Sequence, residues 1–254
     1  MSQAPSTASA GLTRPRSAGR AGDIALIAVF AALLAAFAMM PPVPVGPAGV
    51  PITLQTFAIA LCGMVLGPWR GAAANLLYVV LGLLGLPIFS GMNGGIGVLA
   101  GPSAGYILSF TLYALVAGLI ARWAVRRFRG AKLGVTLFIG GFAASLLLNH
   151  PLGILGMSIN ADLPLRVAAV ADLAYWPGDI IKNILAASVA VLIHRAFPDV
   201  LRRRGVSVTS VGRSGAVAAG QADTASAGPG GTAAAGPAVD GPAASAPERE
   251  SDAK

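Results

Sequence analysis

Charge is nearly absent from the first half of this chain, and that limits which solvent it can fold in. After Asp23 the next charged side chain is Arg70, and after Arg70 it is Arg122. Over the whole chain, charged residues make up 11% and hydrophobic ones 55%. A soluble domain carries about 25% charged residues. So few charges cannot cover a water-facing surface, which excludes a soluble globular fold. The 33 glycines and 18 prolines follow no triplet period, which excludes collagen. A single cysteine, Cys62, leaves no disulfide framework and no thiolate metal site. The net charge of +8 would suggest nucleic acid in a soluble protein. Here it reads first as membrane topology.

A bilayer core of about 30 Å takes about 20 helical residues to cross. Six segments approach that length: Ile24–Met40, Ile52–Leu66, Gly71–Leu86, Ala104–Ala124, Leu133–His150 and Leu173–Ala196. The second is short, and either begins earlier in the Pro-rich linker or sits inside the bundle. With the N-terminus in the cytoplasm and six spans threaded, every one of the 18 basic residues except Arg166 and Lys182 belongs to the cytoplasmic side. One span more or fewer scrambles that partition. The expected fold is an all-α integral membrane bundle of six transmembrane helices, multi-pass in the cell membrane, with both termini cytoplasmic. Arg14, Arg16 and Arg20 before an apolar run imitate a signal peptide, but no small-residue cleavage site follows.

The outer connections differ from the inner ones. PPVPVGPAGVP (41–51) and the Gly-rich 87–105 carry no charge. Irregular backbone at membrane depth is tolerated where it is buried in protein or lines a cavity, so these loops are expected to fold back over a pocket. Three parts follow: a flexible cytoplasmic arm over 1–22, a membrane domain over 23–204, and a disordered Ala/Gly/Pro-rich cytoplasmic tail over 205–254, too poor in apolar residues to offset its ordering entropy.

Asp179 and Lys182, in YWPGDIIKNIL (175–185), share one helix face three residues apart. An intramembrane charge is expensive, roughly 2.5–3.5 kcal/mol at mid-span on the insertion scale, and faces a partner or a cavity. The pair is either a staple between helices or a ligand site, with Asp179 accepting N–H donors and Lys182 donating. Tyr175 and Trp176 beside it suit interfacial anchoring equally well. GMNGGIGVLAGPSAGY (91–106) lacks the Lys-Ser/Thr of a phosphate loop and follows no strand. Its glycines suit close approach of backbone to a small ligand, with Asn93 and Tyr106 adding polar groups. Gln55 and Asn75 are further polar candidates, although interhelical hydrogen bonding accounts for them as well. Ala28, Ala32 and Ala36 form a small-residue row that lets a partner helix approach. His150 and His194 are isolated from each other and from Cys62, and no transition-metal site is expected. The chain has no Walker motif and no catalytic constellation, so it is not expected to be an enzyme or to hydrolyse ATP.

Three segments together resemble a known family. VPITLQTFAIALCGMVLGPWRGAAANLLYVVLGLLGLPIF, GMNGGIGVLAGPSAGY and AYWPGDIIKNILAA, in this order, are similar to BioY, the biotin-binding S component of energy-coupling factor (ECF) transporters. The resemblance covers roughly residues 20–200. It implies a six-helix S-component bundle holding biotin under its outer loops, as cargo and not as a cofactor. It also implies a transmembrane coupling subunit and ATPase subunits as partners. The family's last-helix Asp and Lys fall on Asp179 and Lys182, its Gly-rich loop on 91–106, and its coupling-subunit face on Ala28, Ala32 and Ala36. Asn93, Tyr106, Gln55 and Asn75 are candidate ligand contacts. The alternatives are a stand-alone secondary transporter, which needs a polar path or relay acids through the span, and an S component for another vitamin. Asp179 is the only acid expected well inside a span.

Overall fold

The computed structural model describes residues 20–45, 49–198 and 200–201; the tail assigned above to 205–254 and most of the N-terminal arm lie outside them. Eight α-helices occur among the described residues: α1 (Arg20–Ala38), α2 (Gln55–Leu66), α3 (Pro68–Leu83), α4 (Ala104–Arg127), α5 (Gly130–Ala144), α6 (His150–Asn160), α7 (Leu165–Asp172) and α8 (Trp176–Ala196). A π turn, Ser145–Asn149, joins α5 to α6, and a 3-10 turn, Leu173–Tyr175, joins α7 to α8. Two isolated bridges, Val43 with Ile52 and Phe89 with Asn93, are the only β pairing among the described residues.

Four helical runs are long and apolar enough to cross a membrane: Ala21–Ala38, Ala104–Arg127, Gly130–Asn160 and Leu165–Ala196. The 12 residues of α2 rise only about 18 Å. It is apolar all round and buried on nearly every side, as a helix enclosed by its neighbours must be. It packs on α3, α4 and α8, and so forms the centre of the bundle. The fifth segment runs on past His150 to Asn160, and the last begins at Leu165, ahead of the expected Leu173. The first helix starts at Arg20, three residues before the boundary placed at Asp23.

Proline and glycine fix the joints. Gly67 takes φ +80 and turns α2 directly into α3, whose first residue is Pro68. Pro151 has no N–H, and its ring crowds the carbonyl four residues back. The helix widens into the π turn immediately before it. Gly105 sits so close to α6 that a Cβ there would lie 1.8 Å from the Leu152 carbonyl oxygen. On α1, Ala31, Leu34 and Ala38 are buried, while Ala28, Ala32 and Ala36 face outward.

Candidate functional site

The N-terminal ends of α2, α4 and α8 surround a cavity of about 540 Å³, roofed by residues 49–53 and 89–103. Its size lies in the range of small-molecule sites, about 300–1,000 Å³. The uncharged loops do fold back over it, as their composition suggested. Gly94 passes so close to the end of α3 that a Cβ would meet the Leu86 carbonyl oxygen at 2.3 Å.

Asp179 and Lys182 lie in the cavity wall on the first turns of α8 and are 2% and 8% exposed. Lys182 Nζ donates to Asp179 Oδ1 at 2.9 Å, and Thr56 Oγ1 donates to the same oxygen at 2.9 Å. Lys182 Nζ also reaches Thr56 Oγ1 at 3.2 Å, closing a triangle between α2 and α8. Removing either charge alone would leave the other buried without compensation.

The other sequence candidates are placed unequally. Tyr106 lines the cavity, and its hydroxyl donates to Asp172 Oδ1 at 2.5 Å. Gln55 also lines it, but both ends of its amide are occupied: Nε2 donates to Tyr78 Oη at 2.7 Å and Oε1 accepts from Thr53 Oγ1 at 2.9 Å. Asn93 is at the exposed rim, where its amide donates to Ser90 O at 2.9 Å. Asn75 does not line the cavity. It is fully buried in α3 and donates to Gly71 O at 2.8 Å. Tyr175 is buried in the lining, with its hydroxyl on Val50 O at 2.8 Å, so it ties the roof to α8 instead of anchoring at a lipid interface.

One expectation is corrected. Asp179 is not the only acid inside a span, because Asp172 is 1% exposed within the run Leu165–Ala196. Its carboxylate accepts from Tyr106, from His150 Nδ1 at 2.8 Å and from Trp176 Nε1 at 3.0 Å. His150 stands between two acids. Its Nε2 faces Asp179 Oδ2 at 3.4 Å, an ion-pair contact longer than a good hydrogen bond. The residue missed because it looked ordinary is Asn149, 1% exposed and part of the cavity wall. The available signal was Pro151 two residues later, which marks a distorted helix.

The BioY family profile matches residues 7–199. The chain belongs to the BioY family. A biotin transporter BioY of Rhodobacter capsulatus is 39% identical over 72% of this chain and 98% of its own length. A biotin transporter BioY of Rhizobium etli is 33% identical over 69% of this chain and 95% of its own. Among solved structures, the crystal structure of the S-component for biotin from an ECF-type ABC transporter matches with a TM-score of 0.65. That match has 25% identity and covers 69% of this chain and 92% of the other. The bundle is therefore an S-component fold of a multi-pass membrane protein, and BioY members are transport components, not enzymes.

Proposed function

We propose that this chain is the substrate-capture subunit of an ECF-type transporter and binds biotin in the cavity under residues 49–53 and 89–103. The observation that carries the reading is the buried Asp179–Lys182 pair in the wall of an otherwise largely apolar cavity. Biotin presents two ureido N–H donors, a carbonyl acceptor, an apolar bicycle and a carboxylate. Asp179 accepts N–H groups, Lys182 donates to an oxygen, and Ile52, Phe89, Val98, Ile107 and Phe110 wall the bicycle. Tyr106 and Gln55 shape the wall through their own hydrogen bonds, and Asn93 acts at the rim. Asn75 supports α3 rather than meeting ligand.

The cavity end faces outward and both termini are cytoplasmic, with α2 and α3 completing six crossings of the bundle. The charge partition supports this orientation, since Arg122, Arg126, Arg127, Arg129 and Arg195 all lie toward the end away from the cavity. The outward row Ala28, Ala32 and Ala36 receives the transmembrane coupling subunit, and ATPase subunits drive release to the cytoplasm. The test is equilibrium binding of labelled biotin to the detergent-solubilised full chain. Saturable, stoichiometric binding is expected, and its absence would remove the reading. A reporter fused after Arg129 should be cytoplasmic, and an external one would overturn the orientation.

A further inference from the structure

Asn149 ends the π turn between α5 and α6 and is 1% exposed in the cavity wall. One end of its amide faces Ser109 Oγ at 2.8 Å, and the other end is buried with no partner. Buried amide atoms without partners are uncommon, and one on a cavity wall points to a ligand group. Among the described residues, the other buried atom of the cavity lining without a partner is Ser90 Oγ. That group is a hydroxyl, which rotates to suit a donor or an acceptor. An amide end does not have that freedom, so its identity says what the ligand must offer.

Ser109 decides which end is left without a partner. Its hydroxyl has one proton and lies 2.6 Å from the Tyr106 carbonyl oxygen, which can only accept. That is the shorter of its two contacts, so the proton belongs there. Ser109 Oγ is then an acceptor toward Asn149 and takes an N–H from Nδ2. The two ends of an amide have the same shape and are assigned by their network. This network leaves Oδ1 as the end without a partner.

We infer that Asn149 presents its amide oxygen to the cavity and accepts one N–H of the ligand's cyclic urea, sharing that recognition with Asp179. The inference rests on the biotin reading above. A cyclic urea carries two N–H donors flanking one carbonyl. Asp179 supplies one acceptor, Asn149 the second, and Lys182, which only donates, serves the oxygen between them. The π turn is the local device: the bulge before Pro151 sets Asn149 in the wall while His150 reaches back to Asp172 and Asp179.

The test is a cycle between protein and ligand, using the full chain in detergent. Kd is measured for biotin and for biotin methylated at one or the other ureido nitrogen, on the native chain and on Asn149→Leu. Biotin is expected to bind Asn149→Leu at least tenfold more weakly. One methylated analogue should lose affinity on the native chain and no further affinity on the variant, while the other is penalised on both. Biotin affinity within twofold of native for Asn149→Leu overturns the inference. So does an equal loss for all three ligands, which marks a packing role. If the native chain fails to bind biotin, the functional reading falls first and by itself. Should Asn149→Leu not yield a monodisperse protein, Asn149→Ser carries the same cycle, because it withdraws the amide without adding bulk.

Discussion

The two ends of this bundle are built by different rules. At the cavity end, helices stand apart and are joined by residues 39–54, 84–103 and 161–164, and the space between them is crossed by polar side chains. At the opposite end, Gly67 alone separates α2 from α3, and only Phe128 and Arg129 separate α4 from α5. Contact there is backbone on backbone: a Cβ on Gly118 would lie 2.6 Å from Gly67 C and Pro68 N. Close-packed backbones hold helices at fixed spacing, and the space left at this end, lined by Val125, Leu133, Val191 and His194, is less than half the size of the cavity at the other end. Polar groups spread across a gap hold helices apart and remain usable by a guest. The same chain thus divides rigidity and recognition along the bundle axis.

If that division is right, substitutions at the two ends should fail in different assays. The largest effect is expected at the cavity end. Asp179→Asn removes a charge-assisted acceptor, about 1.5–3 kcal/mol, and should weaken biotin binding about 10- to 150-fold by titration calorimetry. The double variant Asp179→Asn with Lys182→Met restores charge balance, so it should fold yet not bind. Near-normal binding by that double variant would make the pair a staple, and the contrast between the ends would collapse.

At the closed end, Gly118→Val should cost about 1–3 kcal/mol through overpacking. A lowered Tm with unchanged biotin affinity in the folded fraction is expected. Loss of affinity at constant Tm would show that the closed end shapes the site after all.

A smaller and more selective effect is expected on the outer face of α1. Ala28→Trp or Ala32→Trp should leave biotin binding intact and lower cellular uptake several-fold, because an indole blocks close helix approach. Unchanged uptake in both would free that face from any role in coupling. Least of all should follow from Asp23→Asn. Its ion pair with Arg70 spans 3.2 Å, but Asp23 is 56% exposed, so thermal unfolding should move by less than about 1 kcal/mol.

At the closed end, the apolar segments read from the sequence stop at Leu66 and Ala124, within three residues of where α2 and α4 end, because apolar run length is a local signal. The cavity was legible only in part. Asp179 and Lys182 stood out because a charge in an apolar run is conspicuous wherever it points. Asp172 was hidden by a boundary error: with the last helix started at Leu173, it counted as a loop acid. Continuation of the helix through Leu173–Tyr175 brings it instead against His150, Tyr106 and Trp176. Asn149 and Asn75 are chemically identical in a sequence, yet one lines the cavity and the other does not. They stand on different helices, α3 and the α5–α6 joint, and the packing of each decides which face meets the cavity; at Asn149 the π turn adds a one-residue irregularity of which a period of 3.6 carries no trace.

That irregularity gives the fifth segment one place where residue count is negotiable. The π turn holds one residue more than an α-helical turn would, so it behaves as an insertion absorbed without a loop. Deleting one residue between Ser145 and Asn149 would let the helix regularise while the helices on either side keep nearly their present facing. His150 would stay on the side of Asp172, and Gly153 and Gly156 against Tyr106 and Gly105. The same deletion elsewhere in α5 or α6 has no bulge to take it up and would rotate one side by about 100° against the other. The chain can lose a residue at the bulge and keep its faces, and nowhere else along this segment.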